Sequence, residues 1–254
     1  MLKKRIITTM LWNGTTLVKG QKFNNERKAG SAITTIKIYN SRDVDEIIFC
    51  DISSTNLKKK LDIAFYKEIT IECGVPITIG GGINKIKDID DLLSAGADKV
   101  LINSSLYENP SFLNEAAKKF GSQTIVVGID FKINAQGKAI CVSHSSKREQ
   151  NKKPHEWALE CNERGAGEIV LTSIDNDGCM NGYNCKIIKE VTKKINIPLI
   201  ASGGAGSYKH MLDAFKNGAD AVTASSIYHF TELTPNDAKK FFISKNIPVR
   251  KNLF

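Results

Sequence analysis

Two stretches of this sequence repeat each other: PITIGGGINKIKDIDDLLSAGADKVLINS, residues 76–104, and PLIASGGAGSYKHMLDAFKNGADAVTASS, residues 198–226. They align without a gap at an offset of 122 (198 − 76), and ten of the 29 aligned residues are identical. Unrelated sequences would share about two identical residues over that length. Because the offset is far longer than a solenoid unit, the repeat predicts two fused half-domains.

Both halves have the same order of elements, in which a short apolar run, a turn and a helical stretch lead to the next apolar run. The runs are apolar on both faces, which is typical of buried parallel strands. In one intervening segment, Ile86, Ile89, Leu92 and Leu93 fall on one helical face. Eight apolar runs are recognisable: RIITTM, EIIFCDI, PITIG, DKVLIN, TIVVGID, EIVLTSID, PLIASG and DAVTAS.

Eight strand–helix units predict an α/β fold, the (β/α)8 or TIM barrel, built from two fused half-barrel repeats. We expect one domain over residues 1–254, with the half-barrels at about 1–121 and 122–245. An open doubly wound sheet is the alternative, but a tandem half-repeat closes into a barrel more naturally.

The composition is that of a globular protein, with 41% apolar residues, 25% charged residues and a net charge of +9. Without a membrane-length apolar run or a signal-peptide pattern, we expect a cytoplasmic protein. The six cysteines are scattered without metal-ligand spacing, so we expect no metal and no cofactor. The basic clusters Lys58–Lys60 and Lys147–Lys153 are interpreted as solvated faces, so we expect no nucleic-acid partner, and the surplus positive charge suits a phosphorylated substrate.

Glycines and small polar residues end corresponding strands of the two halves. Strand three ends in Gly80-Gly81-Gly82 and strand four in Asn103-Ser104, while the second half has Gly203-Gly204 and Ser225-Ser226. Glycine turns let backbone N–H groups approach an anion, and a hydroxyl or amide completes the cradle. The duplicated pattern predicts two cradles for the two ends of a bisphosphate. Tight strand–helix turns without a ligand are the simpler alternative.

Acidic residues also occupy the strand ends. Asp130 closes strand five, where a carboxylate would act as general acid or base, or else as a cap or loop ion pair. Asp51 ends strand two, and Asp177-Gly178 forms a turn by composition at a place suited to holding substrate. The repeat aligns MLWNG with IDFKINAQG, so Leu11 is the counterpart of Asp130 and four residues are inserted before Gly137.

The opposite end of the barrel carries alternating charges at the starts of four strands. They are Arg5, Glu46, Lys99 and Glu168. Their alternation predicts a closed ring of salt bridges around the barrel axis. Sequence spacing leaves open whether this ring only closes the barrel or also gates an axial channel.

The segments KRII, LVKGQKF, PITIGGGI, GADKVLINS, VVGID, GAGEIVLTSIDNDG, IASGGAG and GADAVTASSIYHF resemble the cyclase subunit of imidazole-glycerol-phosphate synthase, HisF. The resemblance runs from Lys4 to about Leu253. It implies a barrel with two phosphate sites and a partner, a HisH-type glutaminase, which docks at the N-terminal face and sends ammonia through the barrel. It also implies the conversion of a ribulosyl aminoimidazole-carboxamide ribotide (PRFAR) and ammonia to imidazole glycerol phosphate and AICAR, a step of histidine synthesis.

Residue by residue, the resemblance assigns most of the functional positions. It implies that Gly82, Asn103 and Ser104 bind one phosphate and that Gly204, Ser225 and Ser226 bind the other. It places Lys19 on a mobile first loop (Lys19 to Gly30), Asp177 on substrate, Asp98 at the glutaminase interface, and the four-residue ring at the ammonia gate. Asp130 matches one of two catalytic aspartates, and Leu11 stands where the other is expected.

Leu11 divides the functional hypotheses. The first is a HisF-like subunit resembling a branch that lacks the first aspartate and supports amidation of an N-acetyl sugar for surface polysaccharides. The second is a genuine cyclase in which Asp130 acts, aided by Asp51 or Asp177. The third is a non-catalytic ammonia conduit. We expect Trp12 to be a packing residue and the four histidines, His144, His155, His210 and His229, to be structural or surface residues.

Overall fold

The computed structural model describes residues 3–53 and 61–250. The cluster Lys58–Lys60 lies outside the described residues. The strands in chain order are β1 (Arg5–Trp12), β2 (Leu17–Gln21), β3 (Asn24–Gly30), β4 (Glu46–Asp51), β5 (Ile77–Gly80), β6 (Lys99–Ile102), β7 (Ile125–Ile133), β8 (Ala139–Ser143), β9 (Arg148–Glu149), β10 (Glu168–Ser173), β11 (Leu199–Ser202) and β12 (Ala221–Ala224).

Helices alternate with these strands. The helices with described bounds are α1 (Ala32–Ser41), α2 (Ile63–Glu72), α3 (Ile86–Ser94), α4 (Ser104–Glu108), α5 (Ser111–Phe120), α6 (Pro154–Glu163), α7 (Cys185–Thr192), α8 (Tyr208–Lys216), α9 (Ser226–Phe230) and α10 (Pro235–Ser244). Within the described ranges, no helix combines the length and the apolar character needed to cross a membrane.

Eight of the strands form a closed parallel barrel in the order β1, β4, β5, β6, β7, β10, β11, β12. The ring closes where β12 pairs with β1, from Arg5 opposite Ala221 to Thr8 opposite Ala224. The two halves join on the other side, where β6 pairs with β7. The predicted (β/α)8 barrel is therefore confirmed, and the open sheet is excluded.

Two antiparallel hairpins extend the barrel at its C-terminal end. The first hairpin, β2–β3, continues β1, and the second hairpin, β8–β9, continues β7. The first corrects the prediction of a loop from Lys19 to Gly30: β2 pairs with β1 at Leu11 opposite Val18, and with β3 at Leu17 opposite Gly30. The hairpin forms because buried Leu17 and Val18 extend the apolar face of the barrel mouth.

The helices cover the outside of the barrel through apolar faces. In α3, Ile89 and Leu92 are fully buried, and Ile86 and Leu93 pack partly buried against the same core, as the predicted helical face requires. Burying one such side chain contributes about 1.5–3 kcal/mol to folding. Trp12 stacks on Phe65 with ring centroids 4.7 Å apart, so the expected packing role is confirmed.

The inside of the barrel is layered along its axis, since side chains on one face of a strand recur every second residue. On β1, Arg5 lies at the N-terminal end, Ile7 in a buried apolar layer, and Thr9 and Leu11 at the cavity. The same order of charged, apolar and cavity residues occurs on β4, β6 and β10. The apolar layer comprises Ile7, Ile48, Val126, Val170, Ile200 and Ala221, with Leu101 packed against it.

Candidate active site

A cavity of about 1350 Å³ opens at the C-terminal ends of the barrel strands. Ile48, Leu101 and Val170 of the apolar layer form its floor. The predicted substrate residues that line it are Lys19, Asp51, Gly82, Asn103, Ser104, Asp130, Asp177, Gly178, Gly204, Ser225 and Ser226. The structure thus brings every predicted phosphate, substrate and catalytic position to one cavity, together with Leu11.

The first cradle lies between β5 and α4. Gly82, with φ of +71°, follows β5, and Ser104 is the first residue of α4, whose N-terminus faces the cavity. Asn103 directs its amide nitrogen to Asp130, while its buried carbonyl oxygen Oδ1 has no hydrogen-bond partner within the described chain. A buried polar atom without a partner is costly, which indicates that a ligand or water completes this site.

The second cradle is the first one repeated in the other half. Ser225 and Ser226 precede and begin α9 and are both buried, and Ser225 Oγ has no hydrogen-bond partner among the described residues. Gly204 has φ of +117°, and a side chain there would overlap the carbonyl oxygen of Gly182. Only glycine therefore lets the chain pass this close, and the turn leaves backbone at the cavity wall.

A buried ion pair lies beside the second cradle. Lys19 Nζ is 2.6 Å from Asp177 Oδ2, and the two residues are only 5% and 7% exposed. The backbone N–H of Lys22 also donates to the Asp177 carbonyl oxygen at 2.8 Å. Lys19 thus lies on strand β2, and the first hairpin is docked on the Asp177-Gly178 turn.

Asp130 ends the inward-facing row of β7, and its carboxylate meets the cavity. Asn103 Nδ2 donates to Asp130 Oδ2 at 2.8 Å. Burial raises the pKa of Asp130 from 3.8 to about 6; hydrogen bonds from Asn103 and Thr172 oppose this rise, and Asp177 adds to it. A carboxyl with a pKa near neutrality is suited to both accepting and donating a proton.

Across the cavity, β1 and β4 present Leu11 and Cys50 to the site. Leu11 pairs in register with Cys50 of β4, and both line the cavity. Burial, together with the charges of Asp130 and Asp51, raises the pKa of the Cys50 thiol to about 12. A neutral thiol and a leucine carry no carboxylate, so neither side chain replaces the second acid that the resemblance leads us to expect at position 11.

Asp51 and Asp98 make structural contacts at opposite ends of the barrel. Asp51 Oδ1 accepts hydrogen bonds from the Ser53 backbone N–H at 2.8 Å and the Ser53 hydroxyl at 2.7 Å, which shapes the turn after β4. At the N-terminal face, exposed Asp98 accepts a hydrogen bond from the Ile77 N–H at 2.8 Å, which fixes the start of β5. A role for Asp98 in docking a partner stays a prediction.

The charged residues at the N-terminal end form the predicted ring of ion pairs. Arg5 Nη1 is 2.7 Å from Glu46 Oε1, and Arg5 Nη2 also pairs with Glu168. Lys99 Nζ lies 3.2 Å from Glu46 Oε2 and 2.9 Å from Glu168 Oε2, which closes the ring. Burial would lower the pKa of Arg5, but the two glutamates raise it above its ordinary value.

Sequence reasoning missed the turn of the second hairpin. Residues 144–148 line the cavity beside the first cradle, and the backbone N–H of His144 donates to Ser104 Oγ at 3.0 Å. His144 therefore makes structural contacts at the cavity, in line with the expectation, and half-buried His229 contacts Tyr39. The four-residue insertion before Gly137 and the polar run HSSKR were the available signals.

The fold and the site define a class: a duplicated (β/α)8 barrel whose cavity carries the buried acid Asp130 and a pair of cradles related by the repeat. The histidine biosynthesis protein family matches residues 6–234, and the chain belongs to this family. Its relatives include HisF subunits of imidazole glycerol phosphate synthase. That of Azobacteroides pseudotrichonymphae is 41% identical over 251 residues, covering 98% of this chain and all of the relative. Those of Thermococcus onnurineus and Flavobacterium johnsoniae are 40% and 43% identical, covering 99% and 98% of this chain and all of each relative.

Proposed function

We propose that this chain is a HisF-type cyclase subunit, which converts PRFAR and ammonia to imidazole glycerol phosphate and AICAR. The observation that carries the proposal is the pair of cradles at one cavity, each with a buried polar atom lacking a partner among the described residues, Asn103 Oδ1 and Ser225 Oγ. Two such atoms suit a substrate with a phosphate at each end. Similarity to HisF subunits over nearly the full chain supports the same reaction.

Asp130 is the proposed proton-transfer group. It lies on the cavity wall between the cradles, tied to the first by Asn103. With a pKa of about 6, it changes its protonation state within the range in which an acid–base catalyst works best. Leu11 cannot transfer a proton, so one carboxylate would perform the acid–base work on this substrate. Losing a second acid is expected to cost about 10²–10⁴ in rate, or about 3–5 kcal/mol.

The ammonia is proposed to come from a HisH-type glutaminase at the N-terminal face, in the cytoplasm. The ion-pair ring lies at that face, and the apolar layer separates it from the cavity. An apolar layer favours passage of neutral ammonia over ammonium, because burying an unpaired charge is costly. The ring is accordingly proposed to be the gate.

Leu11 favours a second candidate, a HisF-like subunit that supports amidation of an N-acetyl sugar. A chain that only delivers ammonia has no need of the acid that Leu11 replaces. The relatives compared above support the cyclase more than this alternative. The two candidates differ in whether PRFAR is turned over.

The deciding experiment supplies the purified protein with PRFAR and excess ammonium at alkaline pH and follows AICAR. We expect slow turnover by the parent, faster turnover by Leu11→Asp, and none by Asp130→Asn. Leu11→Asn is the matched control, because it has the size of Asp without its charge, and it should not accelerate the reaction. An inactive parent beside an active Leu11→Asp variant would support the sugar-amidation candidate instead.

A further inference from the structure

The second hairpin occupies the same place in its half-barrel as the first hairpin does in the other half. The first follows β1 and the second follows β7, and these strands are counterparts in the repeat. Each hairpin lies next to the short helix that begins at one cradle. These helices, α4 (residues 104–108) and α9 (residues 226–230), are also separated by the repeat offset of 122 (226 − 104 and 230 − 108).

An arginine from each hairpin meets the last residue of the helix beside it. The guanidinium of Arg27 lies 4.2 Å from the ring centroid of Phe230. In the other half, Arg148 Nη1 lies 3.3 Å from Glu108 Oε1, and His144 Nε2 lies 3.4 Å from the same oxygen. Glu108 and Phe230 are the same repeat position, so the two hairpins contact the short helices at equivalent positions, one by a cation–π contact and the other by an ion pair.

The backbone of the second-hairpin turn has an unfavourable conformation. His144, Ser145 and Ser146 have φ of +53°, +54° and +71°, three consecutive left-handed residues that are not glycine. Such strain persists where surrounding contacts hold it, and it is frequent at ligand sites. Here the strained turn brings the side chains of residues 144–148 to the cavity, next to Ser104.

The turn also prepares Ser104 for an anion. The His144 N–H donates to Ser104 Oγ at 3.0 Å, so the serine oxygen is already an acceptor and its hydroxyl hydrogen is left to donate elsewhere. Gln150 Nε2 donates to Ser143 Oγ at 2.8 Å, and Ser143 Oγ lies 2.9 Å from His144 Nδ1, which fixes the imidazole beside Glu108.

We propose that the turn His144–Arg148 is the phosphate-recognition element of the first cradle. The two phosphates of a bisphosphate would then bind to different cationic side chains. Lys19 binds the phosphate at the second cradle, formed by Gly204, Ser225 and Ser226. Lys147 and Arg148 bind the phosphate at the first cradle, formed by Gly82, Asn103 and Ser104. The proposal rests on the proposed function, in that the ligand carries two phosphates. The unlike cations would fix the direction in which an asymmetric substrate lies.

The two ends should also differ in their response to salt. The Lys19 side chain is 6% exposed and paired with buried Asp177, whereas the Arg148 side chain is 62% exposed and paired with an equally exposed Glu108. Exposed charges are screened by salt much more than buried ones. Phosphate binding at the first cradle should therefore weaken more steeply with ionic strength than binding at the second cradle.

The test titrates the isotope-labelled full chain with inorganic phosphate and follows the backbone amide signals of Ser104 and Ser226 separately. We expect the double variant Lys147→Gln/Arg148→Gln to weaken phosphate binding reported by Ser104 about tenfold and to change that reported by Ser226 less than twofold. Lys19→Gln should do the converse. Lys147→Arg/Arg148→Lys should restore binding at Ser104. Lys186→Gln/Lys189→Gln, on exposed residues of α7, removes the same charge and should affect neither.

Equal weakening at both cradles, or no change at Ser104, would overturn the assignment of the turn while leaving the bisphosphate site in place. A parent protein whose Ser104 signal never responds to phosphate would reject the proposed bisphosphate function itself, and the role of the turn with it.

Discussion

Asn103 Nδ2 donates to Asp130 Oδ2 at 2.8 Å, and this hydrogen bond joins the first cradle to the acid of the cavity. Because Asn103 directly precedes α4, a ligand seated at that helix also acts on the residue that orients the carboxylate. Its other side-chain atom, Oδ1, has no partner within the described residues. A ligand that donates to Asn103 Oδ1 would therefore act on Asp130 through the same amide.

The raised pKa of Asp130 predicts a pH-dependent stability. The folded state holds the proton more tightly than the unfolded state, so this stabilisation is complete below about pH 4 and is lost as the pH rises through about 6. Asp130→Asn should therefore raise the free energy of unfolding by about 3 kcal/mol at pH 8 and by almost nothing at pH 4. Urea unfolding at both pH values tests this, with exposed Asp90→Asn as the control. Equal gains at pH 4 and pH 8 would contradict the assignment.

The hydroxyl of Ser225, which has no partner among the described residues, is predicted to destabilise the free protein and to strengthen ligand binding. Without ligand, Ser225→Ala should stabilise the protein by about 1 kcal/mol, because a buried polar atom without a partner is removed. With phosphate present, the variant should lose most of the ligand-induced rise in Tm. Ser173→Ala is the matched control: its hydroxyl donates to Asn176 Oδ1 at 2.8 Å, so its loss should destabilise the protein with or without phosphate.

Two glycines with left-handed backbone should respond very differently to alanine. A Cβ at Gly204 would overlap the Gly182 carbonyl oxygen, whereas a Cβ at Gly137 meets no atom within 4 Å. Gly137→Ala should therefore lower the free energy of unfolding by about 1 kcal/mol, through backbone strain alone. Gly204→Ala should lower it by about 3 kcal/mol or more and should also abolish phosphate binding at the second cradle. Chemical denaturation and phosphate titration of both variants measure the difference, and similar costs would refute the close approach.

The ion-pair ring predicts strong coupling between Arg5 and Glu46, whose charged atoms lie 2.7 Å apart in a largely buried setting. Arg5→Met leaves two glutamates facing one lysine and should destabilise the protein by about 3 kcal/mol. Adding Glu46→Gln should recover about 1–2 kcal/mol, because it removes the excess negative charge that two glutamates leave around Lys99. A double-mutant cycle by urea unfolding measures this coupling. Exactly additive costs would show that the ring residues act independently. The exposed pair Lys87 and Asp91 serves as the reference and should show almost no coupling.

The sequence predicted the barrel and most of the cavity because both depend on short-range patterns. The strand runs, the α3 face and the offset of 122 fix which residues point inward and which strand ends meet. The first hairpin and the second-hairpin turn were not predicted, because antiparallel pairing beyond a barrel strand leaves little periodic signal. The insertion before Gly137 and the run HSSKR indicate a longer polar turn, but its position beside Ser104 follows only from the contact of His144 in the structure.

By itself, the sequence determined the duplicated fold, the pairing of the cradles and the absence of a carboxylate at position 11, since each is a matter of residue identity at a known spacing. Only the tertiary structure decided that Lys19 is buried against Asp177, that Asp130 has a pKa near 6, and that a second hairpin borders the first cradle. The physical reason is that burial and ion pairing depend on groups far apart in the chain. Lys19 and Asp177 are 158 residues apart and meet because the barrel closes.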